Sequence, residues 1–140
     1  MGVNMNLGLK GKTAIITGTN NPQGIGATTA LAFAREGVRL ALVYKKILHE
    51  FDKSKIGVDG LDRYFKANSG DMAEVEERLR ALNADYFVLE NDISDERSVN
   101  DMFDCVIERF GKVDILINNA ASADDGDYDT IETITQNVID

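Results

Sequence analysis

The sequence predicts an α/β fold: a doubly wound, parallel sheet with helices on both faces, formed by residues 1–140 as one domain. Short runs of apolar and β-branched residues alternate with longer segments whose apolar residues recur at helical spacing. A glycine-rich segment also connects the first strand to the first helix. Strands joined through helices need crossover connections, which make the sheet parallel. About four strands can be identified, so we expect a sheet that is truncated relative to a complete domain.

The first two strands and the helix between them come from the first third of the chain. Lys12–Thr17 is a continuous apolar and β-branched run, as in a buried parallel strand, and Arg39–Tyr44 is a second. A helix is predicted from about Ile25 to Glu36, and Gly37 stands where a left-handed residue ends a helix. Its inward face consists of Ala27, Ala30, Leu31 and Ala34.

Residues 45–70 form an insert-like loop without a clean period. This stretch is longer than most connections, so we expect a functional insertion or a short helix around Leu61–Lys66. A helix over Met72–Leu82 and a third strand over Asp85–Glu90 follow it.

Another helix and a fourth strand come next. Ser94 is placed to cap the helix, Gly111 to end it, and Val113–Ile117 is the strand. A last helix is predicted near Thr130. The stripe expected to face the core from the helix before the fourth strand is Val99, Met102, Phe103, Val106, Ile107 and Phe110.

The composition excludes several classes of protein. The formal net charge is −9, and such an acidic surface repels phosphate backbones, so nucleic acid is not an expected partner. No apolar run approaches the roughly 20 residues that a membrane span needs. A single cysteine, Cys105, cannot form an internal disulfide, and zinc-binding spacing is absent. We therefore expect a cytoplasmic protein without a membrane partner or a metal site.

The glycine-rich segment lies where a strand passes into a helix. There Gly18 would take a tight turn, Gly24 would let the backbone approach a pyrophosphate, and Gly26 would let the helix pack on the strand. Free N–H groups at the start of the helix would then face phosphate oxygens. The alternative is an ordinary strand–turn–helix connection that binds nothing.

Three motifs in order give the chain a family resemblance. They are the Thr-Gly…Gly-Ile-Gly loop, the pair Asp92-Ile93 after the third strand, and the run Asn118-Asn119-Ala120-Ala121 after the fourth. From about Leu9 to Ala121 the chain resembles the short-chain dehydrogenase/reductase family, whose sheet is of the Rossmann type. Each motif alone is weak, but the three together at strand ends are specific.

The resemblance implies a role for each matching residue. The loop residues would line the pyrophosphate, Asp92 would accept a hydrogen bond from the adenine amino group, and Ile93 would form an apolar wall. Asn118 and Ala120 would border the adenosine ribose, and Asn119 would tie the fourth strand to its neighbour. Purely structural turns at Asp92 and at the asparagines are the alternative. The candidate cofactor residues are Gly18, Asn20, Gly24, Ile25, Gly26, Tyr44, Lys45, Lys46, Asp92, Ile93, Asn118 and Ala120.

The cofactor is predicted to be NADP in preference to NAD. An acid at the end of the second strand would bind the ribose hydroxyls of NAD, but the residue there is Tyr44. Lys45 and Lys46 follow at once and could neutralise a 2′-phosphate. The alternative is that they are two solvated lysines at a strand end.

Two departures from the family pattern concern the loop and the catalytic residues. Five residues separate Gly18 from Gly24, where the family commonly has three. This spacing is similar to that of the divergent enoyl-acyl-carrier reductases, but those usually replace the later glycines, and both are present here. The family's catalytic serine and Tyr-x-x-x-Lys pair are expected beyond residue 140, because none of the tyrosines has a lysine four residues on. Asn137 and His49 are interpreted as surface residues.

The resemblance implies hydride transfer between a nicotinamide and a carbonyl or alcohol carbon, with 3-oxoacyl- or enoyl-reductase-like reactions as options. We expect this chain to be part of a longer, homo-oligomeric enzyme and to be inactive alone, with Ile115 and Ile117 exposed at the sheet edge. One alternative is a stand-alone nucleotide-binding module. The other is a methyltransferase, which Tyr44 disfavours because methyltransferases usually have an acidic residue at the end of the second strand. A serine followed by Tyr-x-x-x-Lys downstream would identify the enzyme.

Overall fold

The computed structural model describes residues 5–121. In chain order its elements are β1 (Thr13–Thr17), α1 (Ile25–Arg35), β2 (Arg39–Tyr44), α2 (Leu61–Ser69), α3 (Ala73–Ala81), β3 (Tyr86–Glu90), α4 (Glu96–Phe110) and β4 (Ile115–Ile117). The helix predicted near Thr130, as well as Asn137, lies outside the described residues.

The four strands form one parallel sheet in the order β3-β2-β1-β4. Its register pairs Ile15 with both Ala41 and Leu116, so β1 lies between β2 and β4. The chain moves outward from β1 to β3 and then crosses back to the other side of β1. This confirms the predicted α/β, Rossmann-type doubly wound sheet, because the point where the strand order reverses is the defining feature of such folds.

The sheet has an apolar core on each face. On one face α1 and α3 cover Ile16, Leu40 and Leu42; on the other α4 covers Ile15 and Val43. All five of these strand residues are buried to at least 99%. Every residue of β1 is buried, as expected for a central parallel strand with helices on both sides.

Most boundaries agree with the sequence predictions, and both predicted glycine caps are left-handed, at Gly37 (φ 73°) and Gly111 (φ 78°). The short helix predicted inside residues 45–70 is present as α2, although it extends to Ser69. The prediction that Ser94 caps the next helix is wrong. The cap of α4 is Asp95, whose side chain accepts a hydrogen bond from the Ser98 N–H at 2.9 Å.

Two predictions about apolar faces are also wrong. Ile115 and Ile117 are half-buried because they pack against the core shared with α1, whereas Leu116 between them is 45% exposed. On α4, Ile107 is 47% exposed and does not belong to the inward stripe. The helical period places it near the edge of that stripe, where the four-stranded sheet does not reach it.

Within residues 5–121, none of the helices is both long and apolar enough to cross a membrane.

Candidate functional site

The carboxyl ends of β1 and β4 are held together by one asparagine. Asn119 Nδ2 donates hydrogen bonds to the carbonyl oxygens of Thr17 and Gly18, each at 3.0 Å. The Thr17 hydroxyl in return accepts from the backbone N–H groups of Asn119 (3.1 Å) and Ala120 (3.0 Å). The predicted tie between the fourth strand and its neighbour is therefore confirmed, and the neighbour is β1.

Two glycines of the loop are required by this close packing. Gly18 has φ 70°, and a Cβ there would lie 2.9 Å from the Ala120 Cα. A Cβ on Gly26 would lie 2.4 Å from the Gly18 carbonyl oxygen and 2.7 Å from Asn119 Nδ2. Real Cβ atoms do not approach so closely, so any side chain at Gly26 would push α1 away from β1. The predicted packing role of Gly26 is thereby confirmed.

The start of α1 carries no negative side chain. Its N-cap is Gly24, which has no side chain to cap the helix, and the first turn holds no acidic residue. The N–H groups of a first helical turn lack intrahelical partners, and the helix dipole adds a partial positive charge there. This end of α1 can therefore accept an anion.

A cavity of about 960 Å³ opens in front of the loop. Its wall is contributed by the loop, the end of β2, the residues after β3 and the residues after β4. Of the predicted cofactor residues, Gly26 lies behind the loop and the exposed Asn118 lies outside the lining. The others all line the cavity: Gly18, Asn20, Gly24, Ile25, Tyr44, Lys45, Lys46, Asp92, Ile93 and Ala120.

Tyr44 lies at the end of β2 and is 9% exposed. Its hydroxyl donates a hydrogen bond to Glu90 Oε2 at 3.3 Å, across the β2–β3 pair. Burial raises the pKa of Tyr44, and the neighbouring Glu90 carboxylate raises it further. Tyr44 is therefore a neutral phenol whose polar end is already paired.

Beside Tyr44, the structure joins two residues for which separate roles were predicted. Lys45 Nζ lies 2.5 Å from Asp92 Oδ2 in an ion pair. The other carboxylate oxygen of Asp92 accepts from the Ser94 hydroxyl at 2.6 Å and from the Ser94 N–H at 3.0 Å. The hydrogen bond from Lys45, followed by those from Ser94, holds the pKa of Asp92 far below its ordinary value. Asp92 is thus a permanent anion at neutral pH.

The loop and the 45–70 insert make contacts that the sequence did not predict. Asn20 is 6% exposed, and its Nδ2 donates to the carbonyl oxygens of Asn68 (2.8 Å) and Gly70 (3.1 Å). From α2, Arg63 donates to Gln23 Oε1 at 2.8 Å. The insert also adds Ile47, Leu48, Tyr64 and Asn68 to the cavity lining. An aperiodic segment gives no signal that would locate these contacts.

A parallel sheet whose order reverses at β1, with a glycine loop at that point, defines a Rossmann-type α/β domain. The family model for short chain dehydrogenases matches residues 56–140. The chain therefore belongs to the short-chain dehydrogenase/reductase family.

Individual relatives support the same assignment. An uncharacterized oxidoreductase, YhdF, of Bacillus subtilis is 34% identical over 113 residues, which cover 81% of this chain and 31% of that protein. The crystal structure of an NADH-dependent reductase, A1-R′, complexed with NAD is similar with a TM-score of 0.59 and 30% identity, covering 84% of this chain and 39% of the other. L-sorbose reductase from Gluconobacter frateurii, complexed with NADPH and L-sorbose, gives a TM-score of 0.61 at 27% identity, covering 95% and 41%. The chain spans about a third of the length of the curated relatives it matches.

Proposed function

We propose that this chain is the dinucleotide-binding half of an NAD(P)-dependent oxidoreductase that transfers hydride between a nicotinamide and a carbonyl or alcohol carbon. The observation that carries the proposal is the convergence of three separate strand ends on one cavity. The loop after β1, Asp92 after β3 and Ala120 after β4 are distant in sequence yet share a wall. Ligands of doubly wound folds bind at this place, outside the carboxyl ends of the strands where the strand order reverses.

The diphosphate would lie at the loop end of the cavity. Gly24 and Ile25 line the cavity there, and the uncapped start of α1 offers backbone N–H donors without an opposing carboxylate in the first turn. The nicotinamide ring itself supplies the hydride chemistry; what this chain would supply is binding and orientation. The substrate and the family's catalytic serine, tyrosine and lysine would belong to the remainder of the enzyme.

The adenosine would lie at the other end, between Ile93 and the residues that follow β2. NADP is the proposed cofactor, because β2 ends in Tyr44 rather than in an acidic residue, and two lysines follow it. Lys46 is exposed and, among residues 5–121, forms no ion pair with an acidic side chain. It is therefore available to a 2′-phosphate. Of the two solved structures described above, one holds NAD and the other NADPH. The preference for NADP is therefore proposed from the two lysines.

Titration of the full-length protein with NADPH and NADH tests the proposal. We expect NADPH to bind about tenfold more tightly, which corresponds to roughly 1.4 kcal/mol from the lysine–phosphate attraction. Replacing both Lys45 and Lys46 by alanine should erase the difference, whereas the same double change at Lys53 and Lys55, an exposed pair in the insert, should leave it. Equal affinities in the unmutated protein would contradict the NADP preference, and failure to bind either dinucleotide would contradict the whole proposal.

A further inference from the structure

Both carboxylate oxygens of Asp92 take part in contacts within the chain. One carboxylate oxygen receives two hydrogen bonds from Ser94, and the other lies 2.5 Å from Lys45 Nζ. This carboxylate is 38% exposed and the Lys45 side chain 55% exposed, so the ion pair lies at the rim of the cavity rather than beneath it. Both side chains line the region assigned above to the adenosine.

The pair has opposite consequences for the two forms of the cofactor. A 2′-phosphate reaching toward Lys45 would have to draw the ammonium away from Asp92 while approaching a carboxylate of like charge. An unphosphorylated ribose brings no such charge, so the ion pair can stay intact beside it. The neighbouring Lys46 differs from Lys45, because no described acidic side chain neutralises it.

We propose that Asp92 determines cofactor specificity by competing with the 2′-phosphate for Lys45, and so limits the preference for NADP that the two lysines would otherwise create. The inference rests on the proposed function, because it assumes that the adenosine ribose lies near the end of β2. Asp92 thereby acts on selectivity through Lys45, in addition to any contact with the adenine ring that both cofactors share.

The variant Asp92→Asn tests this in the full-length protein. Asparagine keeps the shape and can still accept from Ser94, but it loses the charge that holds Lys45. The measured quantity is the ratio of the NADH to the NADPH dissociation constant, in which effects common to both cofactors cancel. We expect Asp92→Asn to raise the ratio about threefold to fivefold, the range set by partly exposed ion pairs. Asp85→Asn, which removes an exposed carboxylate just before β3, should leave the ratio unchanged.

A double-mutant cycle with Lys45→Ala separates competition from simple repulsion. If Asp92 acts through Lys45, the ratio should rise on Asp92→Asn when Lys45 is present and stay nearly constant when it is absent. An equal rise in both backgrounds would overturn the proposal in favour of direct repulsion, and no rise in either would overturn it as well. A wild-type protein without NADPH preference would refute only the proposed cofactor, because the dependence of the ratio on Lys45 can still be measured.

Discussion

The glycine loop and the 45–70 insert lie on the same cavity, but they are built in opposite ways. A Cβ on Gly26 in α1 would lie 2.4 Å from a backbone oxygen, whereas a Cβ on Gly57 in the insert would meet nothing within 4 Å. Every residue of β1 is buried, and none of α2 is. At the loop, close packing dictates the residue type at Gly26, whereas the packing around Gly57 imposes no such restriction.

The two regions are nevertheless connected by specific contacts. Asn20 and Gln23 belong to the stretch that makes this loop longer than the common family pattern. Asn20 donates hydrogen bonds to the insert, and Gln23 accepts one from it. Arg78 of α3 also donates to the Pro22 carbonyl oxygen at 2.8 Å. The extended loop and the extended connection after β2 are therefore linked by hydrogen bonds that involve both their side chains and their backbones.

Replacing Gly26 by alanine should have the largest effect of any single change in this comparison. The new methyl group has no space against Gly18 and Asn119, so α1 must shift from β1 at a cost of about 3 kcal/mol. Thermal unfolding would show a lower midpoint, and dinucleotide binding should be lost because the start of α1 moves. Gly57→Ala is the matched control and should leave both unchanged. A wild-type midpoint for Gly26→Ala would contradict the packing described here.

Asn119→Ala should be the next most damaging change. It removes both hydrogen bonds to the part-buried carbonyl oxygens of Thr17 and Gly18, which costs about 2 kcal/mol. The adjacent Asn118→Ala provides the control, because Asn118 is exposed. Chemical denaturation of the two variants should separate them clearly. Equal stabilities would show that the β1–β4 tie contributes little.

The sequence allowed good prediction where local chemistry and long-range packing agree. Continuous apolar runs located β1 and β2. Gly37 and Gly111 ended their helices as expected, because glycine adopts a left-handed conformation without strain. At the site, the strand-end motifs placed most candidate residues on one cavity. Lys45 and Asp92, however, are 47 positions apart, and no sequence pattern states that their side chains meet.

The wrong predictions and the contacts that were not predicted have related physical causes. Ser94 is a good capping residue, but so is Asp95, and the Ser94 hydroxyl is engaged by Asp92. Leu116 is exposed, and Ile115 and Ile117 are not, because successive side chains of a strand lie on opposite faces of the sheet. A strand of three residues is too short for its sequence pattern to show which face is buried. In the insert, the contacts of Asn20 are made with backbone carbonyl groups of Asn68 and Gly70, whose positions no side-chain pattern reveals.

Asn20→Ala should have the smallest and most local effect, and it tests the connection between the two regions directly. The change removes two hydrogen bonds that fasten residues 68–70 to the loop, at a cost of about 1 kcal/mol. Because α2 has no buried residue of its own, this loss should raise hydrogen exchange and proteolysis within residues 45–70 while β1 and α1 stay protected. Asn100→Ala, an exposed change on α4, should alter neither. If exchange instead rose throughout the sheet, the insert would be part of the core's cooperative unit, and the contrast between the two regions would have to be abandoned.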